Sequence, residues 1–470
     1  MIQKITQAEL DRQQEYVRAF PSLPDRPMTY HIVTYGCQMN VHDSEKLAGI
    51  LESMGMTAAP TREEADFVLH NTCCIRDNAE RKALGNVTWL KEIKKVRPSL
   101  LIGVCGCMVQ EEGMAEKILR QYPFIDLAFG TGNIHCLPEL LYKAAERKGR
   151  VVDVPEEQST LAEGLPVRRG SPWQAYVTIM YGCNNFCTYC IVPHVRGRER
   201  SREAKDILRD VEELVKNGTK EIMLLGQNVN SYGKELEGGW NFAKLLREVA
   251  KTGIPRIRFM TSHPKDLTDE LIETIAETPS VQRHFHLPAQ SGNDRILRAM
   301  NRHYDRAQYL DRVHALRKYV PDIGLTTDLI VGFPGETEAE FMDTMDLVEE
   351  VGYDSAFTFI YSPRVGTPAA SLPGQIPPEV STERIERLIK AQDRHTEKCL
   401  HSLIGSVQDV LVTETSRRDD TMMTGKCGRN ISINFTGTRE DLGRILPVRV
   451  LSAGRTTLRG EKCLEENQDE

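Results

Sequence analysis

At 470 residues, with 60 Lys and Arg against 67 Asp and Glu and a net charge of −7, the chain is long enough for about three domains. It is not a polycation, so any nucleic-acid surface has to be local. Its twelve cysteines fall far below the ~8–10% of a disulfide scaffold and sit in pairs or triplets, which points to a reducing compartment and metal-bound thiols.

Met1 to Asp25 is polar and lacks an apolar core, and the longest nearly apolar run is the ten residues Leu100 to Val109. Neither a signal peptide nor a membrane span is expected, and the reading is a cytoplasmic enzyme. From about Pro27 the pattern becomes regular. His31 to Tyr35 reads as a strand running into Gly36-Cys37-Gln38-Met39-Asn40, followed by a helix from Asp43 to Met54. A second strand, Asp66 to His70, runs into Asn71, Cys73 and Cys74 and a long polar helix reaching Lys95. A third, Leu100 to Val104, runs into Cys105-Gly106-Cys107. Strands alternating with helices imply βαβ units and a parallel sheet covered on both faces. Loops at the carboxyl ends of such strands converge on one crevice, so Cys37, Cys73 and Cys107 can meet. Cys74 and Cys105 compete with them, because periodicity does not say which thiol faces the crevice.

Val151 to Pro172 is rich in Pro, Gly and Glu and reads as a linker. Beyond it, Gln174 to Met180 is a strand that delivers Tyr181-Gly182-Cys183 and then Cys187 and Cys190. The C-x3-C-x2-C spacing puts three soft thiolates in one short loop with no fourth cysteine before Cys399. That donor set suits a four-iron cluster with one iron left open. A structural zinc site would want four closed ligands, and His194 alone is a weak candidate to complete one. Further strands at Glu221–Leu225, Arg256–Met260, Gln282–Leu287, Ile323–Val331 and Ser355–Tyr361, with helices such as Arg202–Lys216 and Thr337–Val351, make six βα units. An open (β/α)6 partial barrel follows, with its chemistry at the strand carboxyl ends. Those ends carry Gly226-Gln227-Asn228, Thr261-Ser262-His263, Gln290-Ser291-Gly292 and Gly332-Phe333-Pro334-Gly335. Thr337 and Ser262 read as ordinary helix caps. None of the glycine stretches is a Rossmann or P-loop fingerprint.

From about His401 short β-like runs, Gly405–Thr413, Met422–Lys426, Ile431–Phe435 and Leu446–Ala453, suggest a small barrel. The turn Arg417-Arg418-Asp419-Asp420 reads as solvated. Arg196, Arg198 and Arg200, which follow the cysteine loop, form a more persuasive basic stretch for guiding phosphates. The expected α/β organisation is therefore an extension over 1–26, a doubly wound parallel-sheet domain over 27–147, a linker over 148–168, a partial barrel over 169–400 and a small all-β barrel over 401–465.

The Cys183 loop resembles that of the radical S-adenosylmethionine (SAM) enzymes, in which the open iron holds SAM and its reductive cleavage yields a 5′-deoxyadenosyl radical. Gly36 to Asn40, Asn71 to Arg76 around Cys73, and Gly106-Cys107 are similar to the three cluster motifs of the methylthiotransferase family. The resemblance implies two [4Fe-4S] clusters, one on Cys183, Cys187 and Cys190 and an auxiliary one on Cys37, Cys73 and Cys107, with Cys74 and Cys105 as spares. It implies SAM contacts at Gly226, Gln227 and Asn228, with Asp328 and Gly332 toward its ribose and adenine end, and an RNA-binding TRAM module in the tail. Gln38 and Met39, with Leu225 to Asn230, His286 to Gly292 and Phe359 to Arg364, are similar to the branch acting on N6-dimethylallyl-adenosine. That branch adds a methylthio group at C2 of the adenine 3′ of the anticodon in tRNA, using an electron donor and a sulfur donor. Branches acting on threonylcarbamoyl-adenosine or on a ribosomal-protein aspartate are the alternatives within the family. A non-catalytic iron–sulfur RNA-binding protein and a zinc-binding RNA chaperone are the alternatives from other classes.

Overall fold

The computed structural model describes residues 3–463 apart from 25, 75–76, 148, 156–159, 417–418 and 420. Ile75 and Arg76 of the second cysteine motif, and Arg417, Arg418 and Asp420 of the charged turn, lie outside the described residues. A two-residue strand, β1 (Gln3–Lys4), leads into α1 (Gln7–Ala19), whose first turn is capped by Thr6. The sequence reads as a polar extension here, yet the helix packs on the first domain. Phe20, at its end, is fully buried among Tyr30, Leu47 and Leu137, a burial that contributes ~2–3 kcal/mol. A helix that rests on a neighbour by one narrow edge can be polar over most of its surface, which hides it from composition.

The first domain comprises β2 (Thr29–Thr34), α2 (Gln38–Ser53), β3 (Thr57–Ala58), β4 (Phe67–Thr72), α3 (Asp77–Val96), β5 (Leu101–Gly106), α4 (Met114–Gln121), β6 (Leu127–Phe129), α5 (Leu137–Arg147) and β7 (Val151–Asp153). Its six strands are all parallel in the order β3-β2-β4-β5-β6-β7. Every residue of β4 is buried, because helices cover both faces with separate apolar cores. The three strands legible in the sequence lie at the centre. The others are too short to show a period, and β7 falls inside the stretch that reads as linker. β8 (Thr160–Leu161) then pairs with β1.

The barrel follows as β9 (Gln174–Thr178), β10 (Met180–Tyr181), α6 (Val192–Arg196), β11 (Arg200–Ser201), α7 (Ala204–Lys216), β12 (Glu221–Leu225), α8 (Phe242–Lys251), β13 (Arg256–Phe259), α9 (Asp269–Glu277), β14 (His284–His286), α10 (Asp294–Ala299), α11 (Arg306–Tyr319), β15 (Gly324–Val331), α12 (Glu338–Val351) and β16 (Ser355–Ile360). Parallel ladders join β9-β12-β13 and β14-β15-β16, and a single bridge from Ile257 to Val281 links the two halves. Alternation sorts the side chains. Val177, Ile222, Leu224, Ile257, Phe285, Leu325 and Leu329 join the core under the helices, leaving Glu221, Arg256, Arg258, His284, His286, Thr326 and Asp328 to the lumen.

α13 (Pro378–Ser402) leads into β17 (Val407–Thr415), β18 (Met422–Lys426), β19 (Ser432–Thr436), β20 (Ile445–Ala453) and β21 (Leu458–Lys462), which close into a barrel of their own. This barrel docks on the amino ends of the large barrel's strands. Arg256 donates to Lys426 O (3.0 Å), and Arg258 to Cys427 O (2.7 Å) and Gly428 O (3.1 Å). Arg258 also donates to Glu221 (2.7 Å), and Arg429 grips Asp354 with two nitrogens. Buried Arg258 is thereby paired and hydrogen-bonded, the condition for tolerating it. No helix among the described residues is long and apolar enough to cross a membrane.

Candidate metal centres

The first thiol centre sits where β2, β4 and β5 end. Cys37 is the N-cap residue of α2, and Cys73 and Cys107 follow β4 and β5 directly. Gly36 has φ +101°, and a Cβ there would come within 2.6 Å of Cys73 Sγ, so glycine alone lets the first loop approach the second. Asn40 ties the loops together, donating to Tyr35 O (2.8 Å) and Thr72 O (2.9 Å), while Asn71 donates to Asn40 O (2.8 Å). Burial pushes the Cys37 thiol up, and the charge of Cys107 adds to it. The neighbouring Cys74 thiol and the Arg196 guanidinium pull Cys107 down against its own burial.

Of the two thiols read as spares, Cys74 packs in the same apolar cluster as Cys107, whereas Cys105 packs in the core on the other face of the sheet. Arg196 is not a surface cation. It lies buried, donates to Cys107 Sγ (3.2 Å) and Asn40 Oδ1 (2.7 Å), and pairs with buried Asp43 at 2.7 Å. Arg200 is buried too and donates to Arg198 O and Arg196 O, so it is equally withdrawn from RNA phosphates. Arg198 is exposed and stacks over Phe186 at 4.2 Å. A short run of arginines looks like a basic patch in sequence, but β11 and α6 turn alternate members inward.

The second centre is the loop after β10. Cys183, Cys187 and Cys190 are close enough that each of the outer two feels the charge of Cys187, and burial raises Cys183 to about 11 and Cys190 to about 12. The end of α10 clamps this loop. Asn301 donates to Asn185 O (3.1 Å) and Phe186 O (3.0 Å), Thr188 N donates to Met300 O (3.1 Å), and Arg302 reaches Cys187 Sγ at 3.4 Å. Sequence reading misses Asn301 and Arg302. Their signal is the polar break Asn301-Arg302-His303 after a helical run, where both flanking residues adopt positive φ.

At the ends of β12 and β13, Thr261 donates to Gly226 O (2.6 Å) and Val229 N to Thr261 O (3.1 Å), so the two loops share one surface. Gln227 Oε1, Asn228 Oδ1, both amide atoms of Asn230, Ser262 Oγ and His263 Nε2 are buried there without a hydrogen-bond partner. Native proteins rarely leave such atoms unsatisfied unless water or a ligand meets them. Ser262, expected as a cap, belongs to this group, while Thr337 caps α12 through a reciprocal bond with Glu340. Gly332 has φ +72°, its N–H donates to Glu336 (2.8 Å), and a Cβ would strike Ser381 at 2.3 Å, so backbone conformation and close packing on α13 both favour glycine there. Asp328 lies within β15 rather than at its end, 3.6 Å from His286 Nε2 on the lumen face. A cavity of about 1090 Å³ opens between α2, residues 161–169 and α7. None of the six cysteines lines it, so it does not mark the thiol site.

Comparison with known proteins gives three family matches: Radical SAM superfamily over residues 177–348, Uncharacterized protein family UPF0004 over 29–130, and TRAM domain over 401–463. The tRNA-2-methylthio-N(6)-dimethylallyladenosine synthase of Clostridium perfringens (strain SM101 / Type A) is 50% identical over 431 residues, covering 92% of this chain and 96% of its own. That of Caldicellulosiruptor saccharolyticus is 50% identical, covering 92% of both chains, and that of Alkaliphilus oremlandii 51% identical, covering 93% of both. Among solved structures, the radical S-adenosylmethionine methyltransferase TsrM from Kitasatospora setae, with cobalamin and a [4Fe-4S] cluster bound, superposes with a TM-score of 0.54 at 15% identity. That superposition covers 73% of this chain and 77% of TsrM, a likeness of fold.

Proposed function

The chain belongs to the radical SAM methylthiotransferase family, and on that premise we propose that it inserts a methylthio group at C2 of N6-dimethylallyl-adenosine 3′ of the anticodon in tRNA. The observation that supports this reading is that the barrel and the first domain meet at the thiols: α6, which follows the Cys190 loop, brings Arg196 to Cys107.

The donor sets fit the clusters the family uses. Three soft thiols lie in each centre, and burial raises Cys37, Cys183 and Cys190, so a metal charge is what would hold these as thiolates. Cys37, Cys73 and Cys107 would hold the auxiliary [4Fe-4S] cluster, and Cys183, Cys187 and Cys190 the one that binds SAM. Gly226, Gln227 and Asn228 would meet SAM; the unsatisfied atoms of Gln227 and Asn228 support this, and Asn230, Ser262 and His263 join them. When bound, these groups supply radical chemistry at an unactivated C–H that acid–base residues cannot reach. The protein's part is to orient and to shield: Asn301 and Arg302 fix the Cys183 loop, and Asn40 fixes the Cys37 loop. The target base lies in a single-stranded loop and can be splayed out to enter the lumen. The TRAM barrel adds RNA affinity, while an electron donor and a sulfur donor in a cytoplasmic compartment complete the reaction.

The test is anaerobic reconstitution, iron and sulfide analysis, and incubation with dimethylallyl-modified tRNA, SAM and a reductant. About eight irons per chain and a methylthio product by mass spectrometry are expected, four irons per cluster. Zinc in place of iron without product would refute the reading, and product only on threonylcarbamoyl-adenosine would move the chain to a sibling branch.

A further inference from the structure

The inward face of β16 carries an aromatic ring that the site described above does not use. Ala356 packs against the outer core, so its neighbour Phe357 turns toward the lumen, in register with Asp328 of β15. An inward-facing phenylalanine is ordinarily buried, yet Phe357 is 48% exposed. Its ring meets His286 at a right-angled approach, with centroids 6.1 Å apart and planes at 71°, an edge contact that leaves a π-face bare. The backing is fixed, because His286 Nδ1 shares a 3.0 Å hydrogen bond with Thr326 Oγ1 and Nε2 lies 3.6 Å from Asp328.

Depth also matters. Ile330, two residues beyond Asp328, packs with Tyr189 of the cysteine loop. Two residues of strand rise ~6.6 Å, so Phe357 lies one pleat repeat beneath that loop, inside the mouth of the barrel.

We propose that Phe357 is the platform on which the target adenine stacks when it enters the lumen. A flipped purine brings a π-face that needs such a partner. The proposal rests on the tRNA-modifying reading above and adds the residue that receives the base.

The experiment measures binding to the unreduced, cluster-loaded protein of two anticodon stem-loops, one with dimethylallyl-adenosine at the target position and one abasic there. Wild type is expected to bind the abasic RNA about 5- to 150-fold more weakly, the worth of one base–aromatic stack. Phe357→Ala should bind both RNAs alike at the abasic level, with SAM affinity unchanged. Phe357→Tyr should discriminate as wild type does. Phe357→Leu, which keeps apolar bulk without a π-face, should not discriminate and keeps the test decisive if the alanine variant folds poorly. Alanine and leucine variants that still discriminate would overturn the platform and leave the enzymatic reading standing. A wild type that binds neither RNA would instead sink that reading. Loss of SAM affinity with RNA discrimination intact would assign the ring to the cofactor and overturn the proposal.

Discussion

Replacing Arg196 by alanine separates the role its place in the sequence suggests from the one its surroundings impose. The guanidinium is 5% exposed and its partner Asp43 is 3% exposed, at 2.7 Å. Removing it leaves a buried carboxylate without a counter-charge, and Asp43 Oδ1 already has no hydrogen-bond partner. Breaking such a pair costs about 3–5 kcal/mol, against a change of about 0.5 kcal/mol or less for exposed Arg198→Ala. A chain of several domains does not unfold in two states, so the loss is best read locally by hydrogen exchange of the α2 and α6 amides. Their exchange should accelerate about 10²- to 10⁴-fold in Arg196→Ala. Most of that should return in Arg196→Met/Asp43→Leu, where both charges are gone. Unchanged exchange, together with an RNA affinity whose log–log salt slope drops by ~0.7, would show that Arg196 neutralises a phosphate and that the buried bridge is wrong.

Alanine at Cys183, Cys187 or Cys190 should abolish 5′-deoxyadenosine formation, whereas alanine at Cys37, Cys73 or Cys107 should leave it measurable and stop methylthiolation, both scored by mass spectrometry. Cys105→Ala should keep both products, while Cys74→Ala, which removes a thiol packed in the same cluster as Cys107, should slow methylthiolation without abolishing it. Arg429→Ala should loosen the terminal barrel by about 1.5–3 kcal/mol, seen as faster proteolysis between α13 and β17. Deleting the chain from about His401 should weaken tRNA binding and its salt slope but spare SAM cleavage, because that barrel docks on the end of the large barrel opposite the cysteine loop. Burial holds His70 neutral, with its pKa lowered to about 3 from 6.5. The unfolded chain takes up this proton first, so stability should fall as pH drops from 6.5 toward 3, by up to about 1.4 kcal/mol per pH unit. Read by hydrogen exchange of the β4 amides in the apo-protein, this acid sensitivity should be smaller in His70→Gln, and an equal sensitivity in both proteins would disprove it.

The cysteine spacing alone determined that three thiols gather in the Cys183 loop, because C-x3-C-x2-C fits within one turn of chain whatever surrounds it. The alternation of strands and helices likewise determined that Cys37, Cys73 and Cys107 share one edge of a parallel sheet, since strand order and direction fix where such loops emerge. Both are local or topological facts, and a sequence carries them directly. Burial is different, because it depends on what a distant segment places over a side chain. Arg196, Arg198 and Arg200 are indistinguishable as letters, yet α2 supplies Asp43 and Asn40 to the first while the second stays in solvent. Nothing in the letters around Gly332 shows that α13, half a hundred residues further on, packs against it. Arg302 and Phe357 were invisible for the same reason. One gains its role from a cysteine loop more than a hundred residues earlier, and the other from a lumen that exists only once six strands have curved around it.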